Sequence, residues 1–269
     1  MTTVDVESSV ATLWRYPVKS MQGEELNAAD ITGTGLLGDR QFAVIDPATG
    51  KVAGAKNPRK WPGFFYFRAA YTSPPRAGSA LPAVRVTMPD GSTATTDEAG
   101  LAKLLSEALG REVILSEASP GLPTAAAEEY VIEDDEVATF DLPPGTFFDA
   151  AAVHIVTTAT LDRLRSLYPA GRFEPRRFRP NIIVATGPDT TGFAENDWVG
   201  HEISVGEQAR LRVIMPTTRC VMTTLPQGDL PKDSGILRTA GQHNNAQIGV
   251  YAEVMSGGPV RRGDMITVL

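Results

Sequence analysis

The sequence predicts a mainly β protein with some α, arranged as two barrel-like modules, and three observations carry that prediction. Short β-branched or aromatic runs, punctuated by Gly, Pro, Asn or Asp, recur along the whole chain. Two segments switch to helical spacing. A stretch at 119–149, rich in Pro, Gly, Ala and acidic residues and with little periodicity, separates the halves. The expected modules are therefore 1–120 and 121–269.

In the first half, 10–19 (VATLWRYPVK), 40–46 (RQFAVID), 64–71 (FFYFRAAY) and 83–88 (AVRVTM) read as strands. MPDGST at 88–93 holds Pro-Asp-Gly, whose glycine tolerates positive φ, so a hairpin turn is expected there. In TTDEAGLAKLLSEALGR, the residues Leu101, Leu104, Leu105 and Leu109 fall at helical spacing, and Gly110 suits a C-cap. EVILSEA at 112–118 returns to strand. In the second half, AAVHIVTTAT is a strand, TLDRLRSLY a short helix begun by a threonine cap, and NIIVAT a buried strand. WVGHEISVGEQARLRVIM alternates around Gly200 and Gly206 as two or three short barrel strands. QIGVYAEVM and DMITVL supply the last two, on either side of the turn SGGPVRRG. No fixed-period repeat or low-complexity tract occurs.

Composition narrows the function classes. With 42% hydrophobic and 21% charged residues, 269 residues suffice for a sizeable core. One cysteine forms no intrachain disulfide, and the N-terminus lacks the basic leader and apolar core of a signal peptide. No apolar run approaches the roughly 18 residues of a spanning helix, so the expectation is a cytoplasmic protein without membrane contact. A formal charge of −7 argues against a nucleic-acid surface but not against a local anion site. The acidic stretch 127–136 reads as a solvated loop, with partner docking as the alternative.

Common catalytic motifs are missing. His154, His201 and His243 are scattered, without zinc-ligand spacing, and His154 in its apolar run reads as a satisfied core residue. GTGLLG at 33–38 fits a dinucleotide fingerprint only superficially, because the strand-like DRQFAVID follows it where a helix is required. Cationic residues near strand ends remain. YPVKS offers Lys19 and Ser20, GDRQF offers Arg40, and RFRPN offers Arg177, Arg179 and Asn181. Arginine forks suit phosphate or carboxylate, and together these stretches suggest a focused anion site; each alone reads as a solvated charge. Cys220, the single cysteine, has two readings: a small buried hydrophobe, or a thiolate near Arg219 serving as nucleophile or soft-metal ligand.

The ordered stretches LWRYPVKSMQGEEL, GLLGDRQFAVID, RRFRPNIIV, FAENDWVG, PTTRCVMTT and IGVYAEVMSGGPVRRGD resemble one family over residues 10–269. It is the MOSC family carrying an N-terminal MOSC β-barrel, the molybdenum cofactor sulfurase C-terminal type that includes amidoxime-reducing components. The resemblance implies an N-terminal barrel-like domain followed by a MOSC β-barrel, with a molybdenum–molybdopterin cofactor held between them. It implies that Cys220 is the metal ligand and catalytic residue, and that Lys19, Ser20, Arg40, Arg179 and Asn181 bind the pterin and phosphate. Thr218, Arg219 and Tyr251 match pocket residues, and Thr157 and Thr158 match more loosely. Asn196 stands where the family pattern has aspartate, and LPQGDLPKDSG through QHNNAQ departs from the usual continuation, in a place expected to shape the substrate mouth.

The activity so implied is reduction of small N-hydroxylated or N-oxygenated substrates. Electrons would come from a separate flavin reductase or ferredoxin-like protein, because no flavin, haem or iron–sulfur motif is present. The alternative is a carrier that passes molybdenum cofactor or sulfane sulfur on Cys220 to another enzyme.

Overall fold

Seven strands with apolar inward faces close into a barrel. In order around it they are Ile182–Ala185, Val153–Thr157, Gln247–Ser256, Ala209–Thr218, Glu202–Val205, Met265–Val268 and Ser8–Arg15. Ser8–Arg15 then pairs back with Ile182–Ala185, leaving no free edge between first and last strand. The computed structural model describes residues 8–132 and 134–269. Val153–Thr157 and Ile182–Ala185 run parallel, so the chain between them must cross over, and helices α2 (Thr158–Leu167) and α3 (Pro175–Phe178) do so. The barrel interior is filled by fully buried aliphatic side chains such as Leu13, Val153, Ile155, Ile203, Leu211 and Val250.

The strand from the N-terminal segment thus completes a barrel made otherwise of residues beyond 152. The rest of the first half forms a second core. A five-stranded sheet (Ile114–Glu117, Phe42–Asp46, Lys51–Ala53, Ala126–Val131, Glu136–Asp141) and a three-stranded sheet (Arg68–Tyr71, Val84–Thr87, Thr93–Thr95) flank it. Helix α1 (Leu101–Leu109) contributes Leu101 and Leu105, which pack with Trp61, Phe64 and Phe67. The chain is mainly β: the described residues hold nineteen strands and four α-helices. Among them no helix is long and apolar enough to cross a membrane.

Three local features differ from the sequence reading. Phe64–Tyr66 is a 3-10 turn and only Arg68–Tyr71 is strand, because Gly63 enters the turn at φ 84°. Within the aperiodic stretch, Ala126–Val131 and Glu136–Asp141 pair as a hairpin, and the mostly exposed face of Glu136–Asp141 explains the missing alternation. Helix α4 (Gly235–Asn244) buries only Ile236, Thr239 and Ala240, too few apolar positions for its period to show.

Candidate functional site

A cleft of about 530 Å³, open mouth included, lies where the barrel end meets the second core. Its walls come from distant parts of the chain, and irregular backbone aims them. After Pro17 the chain leaves the barrel strand, and Lys19 N–H bonds the Phe42 carbonyl at 2.8 Å. Ser20 follows at φ 68°. Arg40 sits at φ 47°, its N–H on the Tyr16 carbonyl at 2.8 Å. Arg179 caps α3 at φ 55°, its N–H bonded to Pro175. Half of the six non-glycine residues with positive φ among the described residues therefore line this cleft, where strained backbone needs a surrounding structure to hold it.

Cationic side chains dominate. The Lys19 ammonium donates to the Phe147 carbonyl at 2.8 Å and to Asp149 Oδ1 at 2.6 Å. Lys56 lies 3.5 Å from Asp149 Oδ2 and 3.2 Å from Glu129 Oε2. Arg40 pairs with buried Asp39, whose Oδ1 also accepts the Tyr16 N–H at 2.7 Å. Arg179 donates to the Met21 carbonyl, and Arg219 Nη2 to the Phe178 carbonyl at 3.0 Å. Among the described residues, Lys19, Arg40, Lys56, Arg179 and Arg219 thus face only Asp39, Asp149 and Glu129, leaving two positive charges in excess inside a protein of net charge −7. Arg219 Nε is buried without a partner.

The protonation states follow from burial and neighbours. Burial opposes the Asp149 carboxylate, but Lys19 and Lys56 outweigh it and hold the carboxyl far below its usual range. Burial lowers Lys19, with Asp149 resisting. Burial also opposes the charge on Lys56, and the neighbouring Asp149 overrides it, so the ammonium titrates above its ordinary value. Burial, then Arg40, bring Arg179 down to about 10. His154 is buried, its Nε2 3.2 Å from the Ile248 carbonyl, and burial followed by Arg219 drives it well below the usual histidine value. It is the satisfied core histidine the sequence indicated, although its ring also borders the cleft and sits 5.5 Å from that of Tyr251.

The residues singled out from sequence divide cleanly by position. Lys19, Ser20, Arg40, Arg179, Arg219 and Tyr251 line the cleft. Asn181 does too, but its side chain is spent on backbone, accepting His154 N–H at 3.1 Å and donating to Trp14 O at 3.3 Å. Cys220, half-buried, lies beside the cleft, within the influence of Lys56. Burial pushes its thiol up to about 12, with Lys56 opposing that rise. Lys56 is thus the cation acting on the thiol, where the sequence suggested Arg219.

Other candidates lie elsewhere. Thr157 is fully buried, caps α2 through Thr160 N–H at 3.1 Å and donates to Glu195 at 2.5 Å. Thr158 lies 3.3 Å from the Thr186 hydroxyl, and Thr218 is exposed at a strand end. Arg177 is fully buried and donates to the carbonyls of Thr223 and Pro231. Asn196 donates to Asn244 at 2.9 Å. The divergent segment after the cysteine does not line the cleft; part of it folds as α4. Sequence reading missed Lys56 and Asp149. Neither carries a local signal, since Asp149 matters only by standing opposite two lysines far away in the chain.

Two family models match the chain: the MOSC N-terminal beta barrel domain over residues 7–112 and the MOSC domain over 143–267. The chain carries both MOSC domains in tandem. The MOSC match contains Asp149, Arg179, Arg219, Cys220 and Tyr251, and the N-terminal match contains Lys19, Ser20, Arg40 and Lys56, so the cleft draws on both. This MOSC chain is 26% identical over 237 residues to mitochondrial amidoxime-reducing component 1 of Mus musculus, covering 81% of its own length and 65% of that protein. It thus spans about two thirds of that relative. Among solved structures it is similar to the YUAD protein from Bacillus subtilis (TM-score 0.47, 14% identity, 97% of this chain and 96% of that one). It is also similar to YiiM from Geobacillus stearothermophilus (TM-score 0.33, 17% identity, 56% and 74%).

Proposed function

We propose that the cleft holds a molybdenum–molybdopterin cofactor and that the protein reduces small N-hydroxylated or N-oxygenated compounds. The observation that carries this reading is the excess of buried positive charge beside a single soft thiol. Lys19, Arg40, Arg179 and Arg219 would hold the phosphate and pterin, and the partnerless Arg219 Nε is a buried donor that needs an acceptor. Among the described residues, no three His, Cys, Asp or Glu side chains form a metal-holding group. A metal here therefore depends on Cys220 and on ligands that arrive with it, which matches a dithiolene-bearing pterin. When bound, such a cofactor supplies two-electron oxygen-atom transfer.

The protein's own residues prepare the site. Lys56 is the cation beside Cys220 and partly offsets the burial that holds the thiol's proton, and coordination at Cys220 would displace that proton. Asp149 fixes Lys19 and Lys56, keeping two ammonium groups at the cleft wall in one geometry. Electron supply is part of the same proposal: with no flavin, haem or iron–sulfur motif in this sequence, a separate flavin reductase or ferredoxin-like protein delivers it. The carrier reading is weaker, because persulfide exchange with another protein needs an accessible thiol, whereas Cys220 is half-buried.

Metal analysis after expression with an intact cofactor pathway tests the reading. Wild type should carry molybdenum that Cys220→Ala loses, and the loaded protein should reduce benzamidoxime with a chemical electron donor. Metal-free wild type with Cys220 present as a persulfide would sink the reductase assignment in favour of the carrier.

A further inference from the structure

Behind Arg179, away from the cleft, lies a second chamber of about 640 Å³, open mouth included, that the proposed chemistry does not use. Its lining includes Trp14, Tyr16, Arg68, Arg176, Arg179 and Gln227. Only Arg179 is common to both cavities.

Two of its side chains are buried polar groups without partners. Gln227 is 1% exposed; its backbone N–H and C=O are both bonded to Leu230, yet its side-chain Nε2 has no partner. Tyr16 is 2% exposed, and its hydroxyl likewise has none. Leaving such groups unmade is costly, so a pair of them at one cavity calls for a ligand. The charges agree. Arg176 is held by Glu174 and Asp229, at 2.7 and 2.6 Å. Arg68 makes no ion pair among the described residues, and Arg179 has only a carbonyl and aromatic rings as partners. Glu25, at the same chamber, is engaged by Arg262 at 3.2 Å. The unsatisfied groups are thus donors, and they ask for an acceptor bearing negative charge.

The chamber also has a flat apolar side, the Trp14 ring, which is stacked with that of Tyr16 at 6.5 Å with 16° between their planes. We infer that this chamber binds a small organic carboxylate with a flat apolar body, its oxygens taken by Arg68, Gln227 and the Tyr16 hydroxyl. An arginine fork suits a planar carboxylate bidentately, and the Trp14 ring covers the body. The inference does not depend on what occupies the cleft.

Calorimetric titration of the full chain with benzoate, against inorganic phosphate as a bare oxyanion, tests it. Benzoate should bind saturably; Arg68→Ala, an exposed position, and Gln227→Leu should each weaken it about tenfold. Lys19→Ala, in the cleft wall, should leave it unchanged. Absence of saturable benzoate binding overturns the proposal, as does binding indifferent to Arg68→Ala or abolished by Lys19→Ala. Phosphate binding as tightly as benzoate would overturn the assigned ligand class.

Discussion

The Arg179 guanidinium carbon lies 4.1 Å from the centre of the Tyr16 ring, and that of Arg40 lies 4.7 Å from the same ring. One aromatic ring thus serves two like charges, and Arg40 Nη2 also donates to the Arg179 backbone carbonyl at 3.3 Å. The ring's negative faces offset a repulsion that the buried setting would otherwise make costly.

Removing that ring should therefore cost more than its area. Tyr16→Leu is expected to lose about 2–4 kcal/mol, because packing and two cation–π contacts go together. Tyr16→Phe keeps the ring and deletes a hydroxyl that has no partner, so it should stay within about 1 kcal/mol of wild type. Urea unfolding of both variants decides; equal losses would contradict the role given to the ring.

Ser20 combines left-handed backbone at φ 68° with a hydroxyl that accepts the Ala55 N–H at 3.1 Å. Ser20→Ala loses the acceptor and keeps the strain. Ser20→Gly loses the acceptor but relieves about 1 kcal/mol of strain, so glycine should be the more stable variant by that amount. Thermal melts showing alanine equal or better would refute the strain argument.

Asp149 should steepen acid unfolding. Burial works against its charge, but Lys19 and Lys56 depress its folded pKa below the ordinary 3.8. A depressed acid stabilises the fold above its unfolded pKa, and that stability is lost as pH falls through about 4 and lower. Asp149→Asn should cost about 1–3 kcal/mol at pH 7 by leaving Lys19 short of its counter-charge, and the gap to wild type should narrow below pH 4. Denaturant midpoints from pH 7 to pH 3 measure it.

Glu195 has the opposite sign. It is fully buried, Thr157 and Thr160 both donate to its Oε2 (2.5 and 2.6 Å), and Oε1 has no partner. Burial raises its pKa above 4.5 despite the threonines. A raised acid favours the fold below the unfolded pKa, and this contribution is lost as pH rises through the folded value. Glu195→Gln keeps an acceptor for both hydroxyls and carries no charge. It should match or exceed wild-type stability at pH 7 and fall behind near pH 4. A uniform loss across pH would mean that the carboxylate itself is required.

The strands, the α1 repeat of leucines and the hairpin at 88–93 were legible because their periods and turn residues are local properties. So were Lys19, Arg40 and Arg179, each beside a proline or glycine that breaks a strand. Asp149 and Lys56 were not, because their importance lies in a 3.5 Å approach across roughly ninety residues of chain, which no spacing rule records. Thr157 and Thr158 matched a motif by position, yet the turn into α2 directs Thr157 to Glu195 and Thr158 to Thr186.

From the sequence alone came the mainly β character, the resemblance that family models bear out, and the identity of a lone cysteine among basic strand ends. The tertiary structure decided which cations converge, that Lys56 rather than Arg219 acts on Cys220, and that Ser8–Arg15 closes a barrel built from the far end of the chain. The reason is physical. Secondary structure follows from near neighbours, whereas charge excess, burial and barrel closure are properties of groups that meet only once the chain has folded.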